Sequence, residues 1–242
     1  MKRKIIISLI VILALSGIGL IKAKEIHDNS VVDFADETMG QVLCNSCNSF
    51  YMSDHFTLEN VTYNDLKKTK LEIDIGYIGY YETLMDLKYC TGAERLVINN
   101  GIGENEDAYF INQGEINREI SQQKVEEMQQ ELGKVLPKMK KLKWFMLSRE
   151  GEVEWTSVEF LKDQKSIEEL WICNCKATDY SVLKTCISLK EIKIEDSELS
   201  RAEDLIGLEN VEFIMILNTP LAENPEEIKK LQEAYPDADI YY

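Results

Sequence analysis

A chain of 242 residues with 45% apolar and 29% charged side chains has the balance of a globular protein rather than a disordered one, with room for one ordinary domain and an additional segment. Its formal charge of −16 repels phosphate backbones and anionic lipid surfaces, which argues against nucleic acid as a partner. The two histidines leave little for acid–base chemistry near neutral pH. No Ser/His/Asp set, paired carboxylates or glycine-rich phosphate loop can be assembled, so no catalytic residue and no cofactor is expected.

The sequence opens on Met1-Lys2-Arg3-Lys4, followed by an uncharged apolar run from Ile5 to Ile21. A basic n-region ahead of an apolar h-region marks export, and residues 1–23 read as a signal peptide or an N-terminal signal anchor. Ala14-Leu15-Ser16 and Ile21-Lys22-Ala23 are fair small-residue cleavage sites, while the run lies at the lower edge of what spans a bilayer. A membrane tether through residues 5–21 therefore stays open beside cleavage, and the expected location is extracytoplasmic, either secreted or held at the cell surface. Losing the leader would remove Lys2, Arg3, Lys4 and Lys22 and leave the remainder still more acidic.

Residues 24–68 are polar and read as an irregular linker and N-terminal cap. They contain the one C-x-x-C, Cys44-Asn45-Ser46-Cys47. It fits a structural disulfide or free thiols, half a zinc site with His55 as third ligand, or a redox dithiol. Zinc expects a second pair and a redox motif expects a helix start in a βαβ unit. Neither is legible, so no metal is assigned and Cys44 and Cys47 stand as a candidate disulfide.

From residue 69 to 242 the chain repeats itself. Pairs of apolar residues two apart recur as Leu71/Ile73, Leu96/Ile98, Phe145/Leu147, Leu170/Ile172, Ile192/Ile194, Ile214/Ile216 and Ala238/Ile240, at intervals of 25, 49, 25, 22, 22 and 24. Upstream of three of these every third residue is apolar apart from one Gln: Leu161, Gln164 and Ile167, then Leu183, Cys186 and Leu189, then Leu205, Leu208 and Val211. One such unit cannot fold alone. Burying about five apolar side chains contributes on the order of 10 kcal/mol, against roughly 20–40 kcal/mol for ordering its backbone, so neighbours must stack and pair their strands.

These residues resemble the leucine-rich-repeat family, particularly the internalin-like surface proteins of bacteria with 22-residue units. The resemblance implies an α/β leucine-rich-repeat solenoid, with a short-stranded parallel sheet on the concave face and short helices on the convex side. It also implies that Cys175, Ser197 and Thr219 stand where the family carries the Asn that hydrogen-bonds the turn after each strand. Cys90 and Cys186 fall on every-third apolar positions and read as buried leucine substitutes.

Four helical stretches are expected. Thr156 with Glu159, flanked by Trp155 and Phe160, spells a capping box with a hydrophobic staple, and Ser200 with Glu203 repeats the spacing. A helical insertion at about 104–134, with its helix at about 115–132, fills the long interval and should stop at Gly133. Asn224-Pro225-Glu226-Glu227 begins the helix of a C-terminal cap at about 222–242.

Residues alternating with the buried pairs point outward. They give a face carrying Arg95, Trp144, Met146, Glu169, Trp171, Glu191, Lys193, Phe213 and Met215, unexpectedly rich in aromatic and apolar side chains. Such clusters mark interaction sites. The expected function is recognition of a protein or peptide ligand by this concave face without catalysis, the alternatives being a thiol or metal protein working through Cys44 and Cys47, or a structural spacer at the envelope.

Overall fold

The computed structural model describes residues 22–70, 72–98, 120–148 and 154–242. The leader run at 5–21, Leu71 and the first stretch of the expected insertion lie outside the described residues.

The repeat forms the solenoid it implies. Strands β1 (Glu72–Asp74), β2 (Arg95–Ile98), β3 (Trp144–Leu147), β4 (Glu169–Cys173), β5 (Glu191–Glu195), β6 (Phe213–Leu217) and β7 (Asp239–Tyr241) lie in chain order in one parallel sheet. One inward row runs Ile73, Leu96, Phe145, Leu170, Ile192, Ile214, Ile240 across all of them. A second runs Ile98, Leu147, Ile172, Ile194, Ile216 across β2 to β6. Both rows belong to the hydrophobic core, Ile240 at its margin.

At the two ends the register differs from the expected pairs. Ile73 stands beside Leu96, not Ile98, and its inward companion is Ile75; Ile240 stands beside Ile214, not Ile216. The shift is two residues, which keeps the same side chains inward because strand alternation has a period of two. The repeated spacing identified the face correctly but not the rung.

Each rung hands over to the next in the same way. The Glu94 carbonyl accepts the N–H groups of Lys143 and Trp144, Lys143 those of Glu168 and Glu169, Glu168 those of Lys190 and Glu191, and Lys190 those of Glu212 and Phe213, at 2.7–3.1 Å. Past the strands, the Ser197 hydroxyl donates to the Glu195 carbonyl (2.7 Å) and accepts the Cys175 N–H (3.0 Å), while Thr219 accepts the Ala222 N–H (3.2 Å). The Cys175 thiol donates to the Trp155 carbonyl (3.2 Å). The three residues that replace Asn therefore supply the turn with its partners, as buried polar backbone requires.

The convex side is tighter than expected. Where Thr156 and Ser200 promised helices, the chain makes single 3-10 turns at Glu159–Leu161 and Ala202–Asp204, neither with a side-chain cap. The N–H groups of Thr156 and Ser157 are taken by the Gln129 carboxamide (2.9 Å each) and that of Ala202 by Glu227 (2.7 Å). Distant acceptors thus satisfy the amides that a local cap would have held. Cys90 and Cys186 are buried in the core, as their spacing implied.

The helix of the insertion, α3 in chain order, is Gln122–Val135, capped by Ser121; Ile116 is outside the described residues. Gly133 lies within it instead of stopping it, because an added Cβ there would meet only Phe160, at 3.9 Å, and nothing local demands a left-handed residue. Residues read as an irregular N-terminal stretch form α1 (Glu37–Tyr51) and α2 (Tyr63–Lys68). Asp36 caps α1 by accepting the Met39 N–H and reaches across to the Glu82 N–H (2.5 Å), while Asp86 accepts the N–H of Asp36 (2.9 Å). These carboxylates fasten the cap to the first repeat. The closing helix α4 (Pro225–Ala234) begins at Asn224 with Pro at its first position and buries Ile228 and Leu231.

Candidate partner surface on the strand face

Outward residues of the sheet fall into rows that cross it, with neighbours in a row about 4.8 Å apart from strand to strand. The first runs Glu72, Arg95, Trp144, Glu169, Glu191, Phe213, Asp239 and the second Asp74, Val97, Met146, Trp171, Lys193, Met215, Tyr241. A third contains Cys173, Glu195 and Leu217. All nine residues singled out in the sequence thus share one face.

They are not equally available. Met146, expected as a contact residue, is 3% exposed and Val97 beside it 2%. Neither belongs to the core cluster on the other side of the sheet, so these two outward side chains are buried without being part of the core. The open area lies over β4 to β6, where Glu169, Trp171, Glu191, Lys193, Phe213 and Met215 are all half-exposed, with Glu195 and Leu217 beyond them. The closing helix does not cover Phe213, Met215 or Leu217. It packs against the Ala202–Asp204 turn behind the sheet.

The rings on this face are met by cations of the same chain. Arg95 stacks over Trp144 at 4.2 Å and pairs with Glu72 at 2.7 Å. Lys193 stands between Trp171 (6.0 Å) and Phe213 (5.5 Å) and reaches Glu191 at 3.4 Å. Phe213 also packs on Tyr241, ring centres 5.4 Å apart. The far edge of the open area holds two buried polar atoms, the Trp171 indole nitrogen, which faces the Cys173 thiol, and one Glu195 carboxylate oxygen, which has no hydrogen-bond partner. Burial pushes the adjacent Cys173 thiol up to about 12, and the Glu195 carboxylate adds to the rise.

A corner residue follows each of these strands in the left-handed conformation: Asn174 (φ 53°), Asp196 (φ 49°) and Asn218 (φ 51°). Asn and Asp tolerate that region better than other side chains. The Asn218 amide donates to the Asp196 carboxylate at 3.0 Å, giving the face a polar rim. The sequence reading missed this rim, although Asn, Asp and Asn at the repeat's own period of 22 was a usable signal.

The other chemistry considered does not assemble. Cys44 and Cys47 sit on α1 as free, buried thiols, so the disulfide is not formed in the structure. Burial pushes them up to about 12 and about 11, the opposite of what a reactive thiolate needs. Among the described residues no group of three or more His, Cys, Asp and Glu is placed to hold a metal ion. His55, the proposed third ligand, stands edge-on to Phe56 at the surface. Also among the described residues, no helix is long and apolar enough to cross a membrane.

No family model and no curated protein sequence matches the chain. Among solved structures it is similar to an internalin (inlF) of Listeria monocytogenes str. 4b F2365, with 11% identity and a TM-score of 0.50 over 88% of this chain and 59% of that one. An internalin C2 (inlC2) of the same strain matches at 12% identity with a TM-score of 0.36, over 87% of this chain and 98% of that one. This chain spans about three fifths of the first of these. At such identities the likeness is one of fold, and the fold is the internalin-like leucine-rich-repeat solenoid that the repeat implied.

Proposed function

We propose that this protein is a binding module that holds a protein or peptide partner on the open area of its strand face, over β4 to β6, and catalyses no reaction. The observation that carries the reading is the half-exposed strip of Trp171, Lys193, Phe213 and Met215, set on neighbouring strands of a sheet whose other side is the core. Aromatic side chains on a rigid support lose little freedom on binding and are frequent interface anchors. Trp144 and Arg95 extend the strip on one side. The leader read at residues 5–21 places this surface outside the cytoplasm in the same proposal, with the protein secreted or tethered.

The test is cross-linking on intact cells with a photoreactive residue in place of Leu217, followed by identification of the captured protein. Trp171→Ala should weaken that capture by about tenfold or more, as loss of a hot-spot ring does, while the melting temperature stays within a few degrees. Undiminished capture by a folded Trp171→Ala protein would remove the strand face as the site.

A further inference from the structure

The structure of the open face points to the chemistry of what it holds, and we propose that its occupant is a cationic polypeptide segment that lays an arginine side chain over Trp171. This rests on the preceding reading that the face binds a partner, and it names the kind of partner. The first observation is the contact the face already makes with itself. Trp144 is closely covered by a guanidinium at 4.2 Å, whereas Trp171 has only the Lys193 ammonium, at 6.0 Å. Cation–π attraction fades by about 6 Å from the ring centre. The Trp171 ring is therefore the less satisfied of the two tryptophans on this face. Arginine suits it better than lysine, because a guanidinium is planar and weakly hydrated and can stack while its edge donates hydrogen bonds.

The second observation is charge. Glu169 and Glu191 are direct neighbours on β4 and β5, a like-charge pairing that costs stability unless something neutralises it. Lys193 reaches Glu191, but Glu169 has no ion pair among the described residues. On the other side of Trp171, one Glu195 oxygen is buried without a donor. A guanidinium over Trp171 would have its edges toward these carboxylates, and its aliphatic stem would lie along the Trp171 ring, as long charged side chains do on apolar surface. At longer range, the chain's charge of −16 draws in cations and turns away anionic partners.

The experiment titrates the full chain with three end-blocked peptides, alternating arginine–serine, lysine–serine and glutamate–serine. It follows the indole N–H signals in nitrogen–proton correlation spectra, with Trp171 assigned by its disappearance in Trp171→Phe. The arginine peptide should move the Trp171 signal saturably, bind several-fold tighter than the lysine peptide, and weaken about tenfold between about 0.05 M and about 0.5 M salt. Glu191→Gln and Glu195→Gln should each weaken it by roughly fivefold, as loss of one charge-assisted contact does. Glu226→Gln on α4 should not. Binding equally reduced by Glu226→Gln would mean diffuse attraction to an acidic chain and overturn the proposal. So would an arginine peptide that leaves Trp171 unmoved. If the glutamate peptide moves Trp171 as well or better, the cationic assignment fails while the strand face survives as a binding surface. Loss of captured partner in Trp171→Ala tests that surface separately.

Discussion

At the scale of single residues, two buried polar side chains decide how segments far apart in sequence meet. Gln129 on α3 is 8% exposed, and its carboxamide oxygen accepts the N–H groups of Thr156 and Ser157. Gln129→Leu preserves the apolar contacts of the stem and orphans both donors. It should cost about 2–6 kcal/mol at about 1–3 kcal/mol per unsatisfied group, read as a lower midpoint in urea at unchanged slope. Asp86 is fully buried with one oxygen lacking a partner, and burial raises its carboxyl above the usual range, against the pull of the Asp36 N–H. A carboxyl whose folded pKa exceeds its unfolded value is most favourable to stability below the unfolded value. That contribution is lost as pH rises through the folded one. Relative to the parent, Asp86→Asn should therefore gain stability from about pH 4 to about pH 7, by about 1.4 kcal/mol for each tenfold by which burial raises proton affinity. Paired urea titrations at the two pH values measure it. Neither role was readable in advance, because the partners of Gln129 lie 27 and 28 residues away and those of Asp86 about 50.

Among the elements, the strands were the legible ones. The paired apolar residues, at intervals of 22 to 25 apart from one of 49, fix both their existence and their inward face, since only stacking can bury such rows. Their register at the ends was not legible: Ile73 and Ile75 offer the same spacing as Leu71 and Ile73, and a slip by two leaves the alternation intact. The two capping boxes misled for a different reason. Thr156 and Ser200 carry the right residues, but Gln129 and Glu227 from other elements supply the acceptors, and a 3-10 turn suffices. Of the candidate surface, strand alternation tells which side chains face outward but not that Met146 is buried, since alternation carries no information on what lies above the sheet. Depth in the stack also sets the energetics. Ile192, with paired strands on both sides, should lose about 2–5 kcal/mol on replacement by Ala, whereas Ile240 on the last strand, half-buried, should lose less than half as much. Thermal melts of the two variants compare them directly.

For the molecule as a whole, contacts run from each rung to the next, and the N-terminal cap joins through Asp36, whose carboxylate caps α1 and holds the Glu82 N–H. Acidity pervades this stack, with 43 acidic against 27 basic side chains. Ion pairs along the strand starts offset some of it, as where Glu168 lies between Lys143 at 3.3 Å and Lys190 at 2.8 Å and its carboxyl is held below the usual range. Such exposed pairs each contribute only about 0–1 kcal/mol, so net repulsion is expected to outweigh them. Adding about 0.5 M sodium chloride should therefore raise the melting temperature by a few degrees; a fall would mean that the pairs dominate.

The shared-carbonyl handover has a consequence for how such a chain can change length. Glu168 passes to Lys190 as Lys190 passes to Glu212, so the block Glu169–Lys190 begins and ends at equivalent points of the coil. Copying that block in tandem inserts a further rung whose two boundaries are already compatible with what flanks them. The width of the surface is thereby separable from the stability of its ends, and gene duplication can lengthen or shorten the protein's reach in whole coils without redesigning a single junction.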